Sequence, residues 1–174
     1  LNRAGIPDER ITVVIARGLG LVPSVQSIEE TFGPAVMARP VGRAVSAIHR
    51  SGQRFLGFTR YGTPAWIDRN VTDADFVVGI GSAFPSPWGG WSGGAKIIVP
   101  GVASSDTIQQ NHSIMMRMTP GTWDHPGLAD REEIACMAGL DFLVNLVLTP
   151  DGEIAAVGAG EFRQTHRHMG KRFL

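Results

Sequence analysis

Residues 79–113 read GIGSAFPSPWGGWSGGAKIIVPGVASSDTIQQNHS. A strand end opens into a loop of glycine and tryptophan, Lys96 heads the apolar run Ile97-Ile98-Val99, and a capped helix carrying His112 follows. Strand, glycine loop and helix in succession are the signature of an α/β domain. Gly89, Gly90, Gly93 and Gly94 admit positive φ values and close backbone approach to a ligand, and loops of this kind hold phosphates or flat cofactors. A phosphate-binding P-loop is excluded. That motif requires Gly-Lys-Ser/Thr, whereas Ala95 separates Gly94 from Lys96 and Ile97 stands where the magnesium-binding hydroxyl belongs.

Working outward, Phe76-Val77-Val78-Gly79-Ile80 and the β-branched run from Ile11 to Ala16 are continuous apolar segments. Such runs predict strands covered on both faces, as in a parallel sheet. Ligands of open α/β sheets sit beyond the carboxyl ends of strands, so the motif loop and the loop from Arg17 to Ser24 are expected pocket walls. Ser24 caps a helix over Val25 to Phe32, stopped by Gly33-Pro34. Val36 to Arg39 reads as a short strand and Gly42 to His49 as a loop or helix. Arg54 to Thr59 and Pro64 to Ile67 form a hairpin, and Asn70 caps one turn over Val71 to Ala74.

Further along, Ser104 or Ser105 caps a helix reaching about Arg117. Ile108, His112 and Met115 share its inward face. Asp130 caps a helix from Arg131 to Met137 whose buried face takes Cys136. Thr149-Pro150-Asp151-Gly152 joins two apolar strands in a hairpin, and Glu161 to Leu174 is a terminal helix with His166 and His168 on its surface. The expected fold is a Rossmann-like three-layer α/β sandwich over residues 1–174, with a mostly parallel sheet, a C-terminal hairpin and a closing helix.

Sixteen basic residues balance sixteen acidic ones, with no basic stripe to track a phosphate backbone, so nucleic acid is not an expected partner. No apolar run approaches the roughly 20 residues needed to span a bilayer, and no signal peptide opens the chain. Cys136 is the one cysteine; it excludes an internal disulfide and suits a reducing compartment, hence a cytoplasmic location. Leu1 falls inside what reads as a helix end, so the chain is expected to be a piece of a longer, two-domain protein.

The motif resembles that of the nickel-pincer-nucleotide-dependent lactate racemases and related 2-hydroxyacid racemases and epimerases. Their pattern runs Pro-His-x-x-Ala-Gly-Tyr/Phe-Ser-Gly-Gly-x-Lys, an apolar run, Pro-Gly-Val-Ala, Thr-Ile and Asn-His. Here stand Pro85-Ser86-Pro87-Trp88-Gly89-Gly90-Trp91-Ser92-Gly93-Gly94-Ala95-Lys96, then Pro100-Gly101-Val102-Ala103, Thr107-Ile108 and Asn111-His112, without a gap. Ala4-Gly5-Ile6-Pro7, Gly62-Thr63-Pro64, Asp73-Ala74-Asp75 and Gly139-Leu140-Asp141-Phe142 also have family counterparts.

The resemblance implies an isomerase that acts on a 2-hydroxy acid or sugar acid by hydride transfer to and from the tethered cofactor. In the family's manner Lys96 would be joined through a thioamide to the pyridinium mononucleotide, His112 would complete the coordination of nickel, and Ser92, Gly93 and Gly94 would line the cofactor site. It further implies an N-terminal segment and a C-terminal domain with no counterpart here. Both family positions for a histidine base differ: they fall on Gly20 and Ser86, and no histidine precedes His49. His49 and His125 remain as candidate bases. A catalytically silent homologue that binds the cofactor or a small carboxylate without turnover is the alternative.

Overall fold

The computed structural model describes residues 1–87, 89–116 and 118–173; Trp88 of the motif, Arg117 at the expected helix end and Leu174 lie outside the described residues. In chain order come β1 (Thr12–Ile15), α1 (Val25–Phe32), the single-turn α2 (Pro34–Met37), β2 (Gly42–Val45), β3 (Gln53–Phe58), β4 (Pro64–Asp68), the single-turn α3 (Arg69–Thr72) and β5 (Val77–Ser82). The motif then forms a tiny hairpin, β6 (Pro85–Ser86) and β7 (Gly90–Trp91), and a 3-10 helix over Gly94–Ile97. Last come α4 (Ser105–Ile114), α5 (Pro126–Met137), β8 (Leu140–Leu148), β9 (Ile154–Gly160) and α6 (Phe162–Phe173). No helix is long and apolar enough to cross a membrane among the described residues.

The architecture is mixed α/β, but the strands divide into several small sheets. β1 and β2 pair in parallel, β5 and β8 pair in parallel with β9 antiparallel beyond β8, and β3 with β4 and β6 with β7 are antiparallel hairpins. The expected continuous, mostly parallel sheet is therefore replaced, among the described residues, by two short parallel units. β1 and β5 are not hydrogen-bonded neighbours.

Several local expectations hold and others are corrected. Ser24 Oγ accepts from the Ser27 amide at 3.1 Å and starts α1, and Ser104 Oγ does the same for Thr107 in α4. Val36 to Arg39 is not a strand: Gly33, at φ 73°, turns the chain so that Pro34 starts α2 at its first position. Gly42 to Val45 is a strand, because the glycine passes Thr12 where a Cβ would come within 2.9 Å of the Thr12 hydroxyl. The cap of α3 is Asp68, which accepts from the Asn70 amide at 2.9 Å. Pro126 starts α5 four residues before Asp130, so Asp130 lies inside the helix, and Cys136 is exposed rather than buried. The apolar Ile97–Val99 run is coiled, through Ile98 N–H to Ala95 O and Val102 N–H to Ile98 O, each at 3.0 Å. Coiling turns both Ile98 and Val99 inward, where they meet Ile67, Ile108, Ile134 and Leu143 in the main core.

Asp130 ties three elements together. Its carboxylate, fully buried, accepts from Thr59 Oγ1 at 2.5 Å, Thr63 Oγ1 at 2.9 Å and Asn111 Nδ2 at 2.7 Å, joining the β3–β4 turn to α4 and α5. A buried polar group left without its partner costs about 1–3 kcal/mol. Asp130→Ala strands three donors, and a loss of about 3–5 kcal/mol is expected on that basis. Urea denaturation checks it: a midpoint within error of the wild type would show that these bonds carry no net stability.

Candidate active site

A cavity of about 220 Å³ opens beyond the carboxyl ends of β1 and β5, between the two parallel units. Ala16, Arg17 and Gly18 wall it on one side, Gly81 and Ser82 on another, and Ser92, Gly93, Gly94 and Lys96 of the motif form its floor. This is where chain reversal between parallel units leaves a crevice.

The floor is held by side chains from later in the chain. Asn145 of β8, fully buried, donates to Gly81 O at 2.8 Å and accepts from the Gly94 amide at 3.1 Å. Its carboxamide thus fixes the end of β5 to the start of the 3-10 helix that carries Lys96. Gly94, at φ +55°, has its open side filled by the imidazole of His166, which a Cβ at this position would overlap. His166 Nε2 lies 2.7 Å from Ser92 O; a carbonyl only accepts, so Nε2 carries the proton and Nδ1 is bare. The ring also meets Trp123 edge-on at 4.9 Å, and Trp123 stacks on the buried Trp91 at 4.8 Å. His166 is therefore buried at the site and not a surface residue. Burial first, then the charges of Arg131, Arg167 and Lys96, push its pKa down to about 4, against the pull of the Ser92 bond.

Lys96 is partly buried, and its Nζ stands 3.4 Å from Ser86 Oγ. Burial, and secondarily the nearby guanidinium of Arg131, lowers its pKa to about 8. The neutral amine, the state in which lysine is a nucleophile, is thus far more populated near physiological pH than for an ordinary lysine, although the charged form still predominates. His112, at the end of α4, is exposed and does not face inward with Ile108 and Met115, both buried. Partial desolvation, with the charges of Arg131 and Lys96, holds its pKa below the usual histidine value. It is therefore a neutral imidazole, the form that ligates metals.

The other expected site residues fall elsewhere. His49 is exposed before the 3-10 turn Arg50–Gly52 and does not line the cavity. His125 is the N-cap of α5, its Nδ1 accepting from the Gly127 amide at 3.1 Å, so one ring nitrogen already has a structural task. Gly20 is exposed in the turn after β1, its amide on Arg17 O at 2.9 Å. Ser86 is buried beside Lys96. Ser92, Gly93 and Gly94 line the cavity as the glycine motif suggested, although the amides of Ser92 and Gly94 are taken by Phe84 O and Asn145 Oδ1.

Asn145, His166 and Arg131 escaped the sequence reading. Asn145 had a visible signal, being the one amide inside the apolar run Phe142 to Leu148. His166 had none, since its helix reads as solvated, and Arg131 sits in a helix whose buried face the sequence assigns through Cys136 instead.

Comparison with known proteins fits this geometry. The lactate racemase N-terminal domain model matches residues 1–123. The chain belongs to that family. Over 170 residues this lactate racemase N-terminal domain is 26% identical to the lactate racemase of Lactiplantibacillus plantarum, covering 95% of the chain and 40% of the relative. It is 24% identical to that of Thermoanaerobacterium thermosaccharolyticum, covering 90% and 38%. The structure of the latter organism's lactate racemase apoprotein superposes with a TM-score of 0.88 at 25% identity, over 94% of this chain and 40% of that one. A Thermotoga maritima protein shares the fold at a TM-score of 0.77 and 20% identity. The chain spans about 40% of the length of the lactate racemases it matches.

Two tests follow from the electrostatics. His166, neutral by burial, has a folded pKa of about 4 against 6.5 in the open chain. The unfolded state binds the proton first, so stability is full above pH 6.5 and falls as pH drops toward 4, by about 3 kcal/mol in all. His166→Gln should lack that component, and parallel acid-denaturation curves for the two proteins would refute it. Separately, trace acylation followed by peptide mass analysis should give Lys96 a reactivity midpoint near pH 8; a midpoint near 10.5 would show an unshielded amine.

Proposed function

We propose that this lactate racemase N-terminal domain is the cofactor-bearing part of a lactate racemase-like isomerase acting on a 2-hydroxy acid or sugar acid. Lys96 supports this reading most directly: the motif's lysine stands at the cavity floor with its pKa held near 8. The two parallel strand units, with the cavity at their carboxyl ends, are read as the halves of one Rossmann-like core.

The residues present fit the nickel-pincer nucleotide. Lys96 offers an amine that is readily deprotonated for the thioamide link, and His112 offers an imidazole of the kind that suits nickel. Among the described residues no three His, Cys, Asp or Glu side chains converge on a metal position; nickel held by His112 would need its remaining donors from the nucleotide. When bound, the group supplies an acceptor for the hydride that leaves the substrate α-carbon. The chain's own part is to hold that group still: Asn145 and His166 lock the Gly94 turn, and Arg17 and Gly18 close the opposite wall. A cytoplasmic location accords with the one unpaired cysteine.

Proton transfer is where this chain departs from the family pattern. Gly20 has no side chain to act as a base, and Ser86 presents a hydroxyl to Lys96. His49 does not line the cavity, and His125 caps a helix. This favours a second reading, a homologue that binds the cofactor or a small carboxylate without turnover; under the first, the base comes from the rest of the protein.

The test is intact mass and nickel content of the full-length protein co-expressed with a cofactor-synthesis system, beside Lys96→Ala. The expected result is a mass increment with about one nickel per chain, absent from the variant. No adduct and no nickel, from a system that loads an authentic lactate racemase, would sink the cofactor assignment. Loaded protein inactive on a panel of 2-hydroxy acids and sugar acids would select the silent reading.

A further inference from the structure

Arg131 is 1% exposed and lies in the middle of α5. Burying a guanidinium is costly unless a carboxylate or a full set of acceptors compensates. Here neither does. Among the described residues its Nε has no partner, and its guanidinium donates from Nη2 to the thioether of Met115, at 2.7 Å. Among the described residues no carboxylate lies within ion-pair distance. Its sequence neighbours are committed elsewhere: Asp130 to Thr59, Thr63 and Asn111, and Glu132 to Arg163 and Arg167. The result is a guanidinium whose pKa burial lowers to about 9, despite Asp130 and Glu132 nearby.

The surroundings add positive charge. Arg131 is the leading charge acting on Lys96 and on His112, and it also acts on His166. The motif hairpin rides directly on it: a Cβ on Gly89 would stand 2.8 Å from Nη2 and 3.3 Å from Nη1. Gly89 therefore lies directly against the guanidinium with no side chain of its own between them.

We propose that Arg131 is an anion-recognition residue of this site, its planar fork taking the two oxygens of a carboxylate or phosphate that reaches it beneath the Gly89–Gly90 turn, from the side of Lys96. A fork of parallel N–H donors matches such an oxyanion in charge and geometry. The ligand supplies the counter-charge that the fold omits. This inference does not require the nickel-pincer nucleotide, since the anion can be that of a free organic acid or that of a nucleotide.

Thermal unfolding of the full-length protein tests it, with lactate and inorganic phosphate as separate probes and chloride at equal ionic strength as the control. A ligand that binds only the folded state raises the melting temperature in a concentration-dependent way. Wild type should respond to at least one probe beyond chloride, and the stronger probe tells a carboxylate source from a phosphate one. Arg131→Met, which removes the unpaired charge while roughly keeping volume, should melt no lower than wild type without ligand and need at least tenfold more anion for the same shift. A wild type indifferent to both probes, or an Arg131→Met protein with an unchanged response, would overturn the proposal. Should that variant fail to fold, Arg131→Lys keeps the charge and loses the fork: a response weakened severalfold supports the assignment, and an undiminished one overturns it. Lys96→Ala keeps the two proposals apart, since it should lose the cofactor adduct yet retain an Arg131-dependent anion response.

Discussion

The Asn145 carboxamide is the constraint on which the site depends. One buried side chain on β8 satisfies a carbonyl at the end of β5 and an amide at the head of the Lys96 helix. The Gly94 amide is buried, so its pairing is close to obligatory. Because β5 and β8 are parallel and in register at Gly81 and Asn145, the amide sits at the one level of the sheet from which it reaches both. His166 completes the lock from α6 by filling the space that Gly94 leaves and donating its Nε2–H to Ser92 O. The lysine's position is thus set by residues about 50 and 70 positions downstream of it.

Next to that lock lie two adjacent residues of α5 with opposite standing. Asp130 is buried and fully satisfied by hydroxyl and amide donors from two other elements. Arg131 is as deeply buried and has a sulfur for a partner. The carboxylate does structural work, fastening the hairpin turn and α4 to α5, and is thereby unavailable to the guanidinium beside it. With Asp130 and Glu132 committed to other partners, burial first and then the charges of Arg131 and Lys96 shift the Lys96 amine and both nearby imidazoles toward their neutral forms. A site of this character favours anionic ligands and, at the lysine, nucleophilic chemistry.

Much of this was legible in residue order. Strands with β-branched runs, the Ser24 and Ser104 caps and the Thr149–Gly152 hairpin rest on interactions a few residues apart, and the glycine motif with Lys96 identified both the family and the cavity floor. The errors share a cause. Val36 to Arg39 looks like a strand by apolar content, but Gly33 and Pro34 at its start send it into a helical turn. Asp130 looks like a cap because it precedes a helical pattern, while the helix had already begun with a histidine cap and Pro126.

What the sequence by itself determined is part of the local chemistry: the strands at Thr12–Ile15 and Val77–Ser82, the caps at Ser24 and Ser104, the Thr149–Gly152 hairpin, and the family motif that runs through Lys96. Only the tertiary structure decided that His112 faces solvent, that His125 serves a helix end, and that His166 and Arg131 are buried beside Lys96. The physical reason is that protonation state and burial are set by neighbours distant in sequence. A charge on a helix that reads as solvated becomes an interior charge when other elements close over it, and no local pattern records that event.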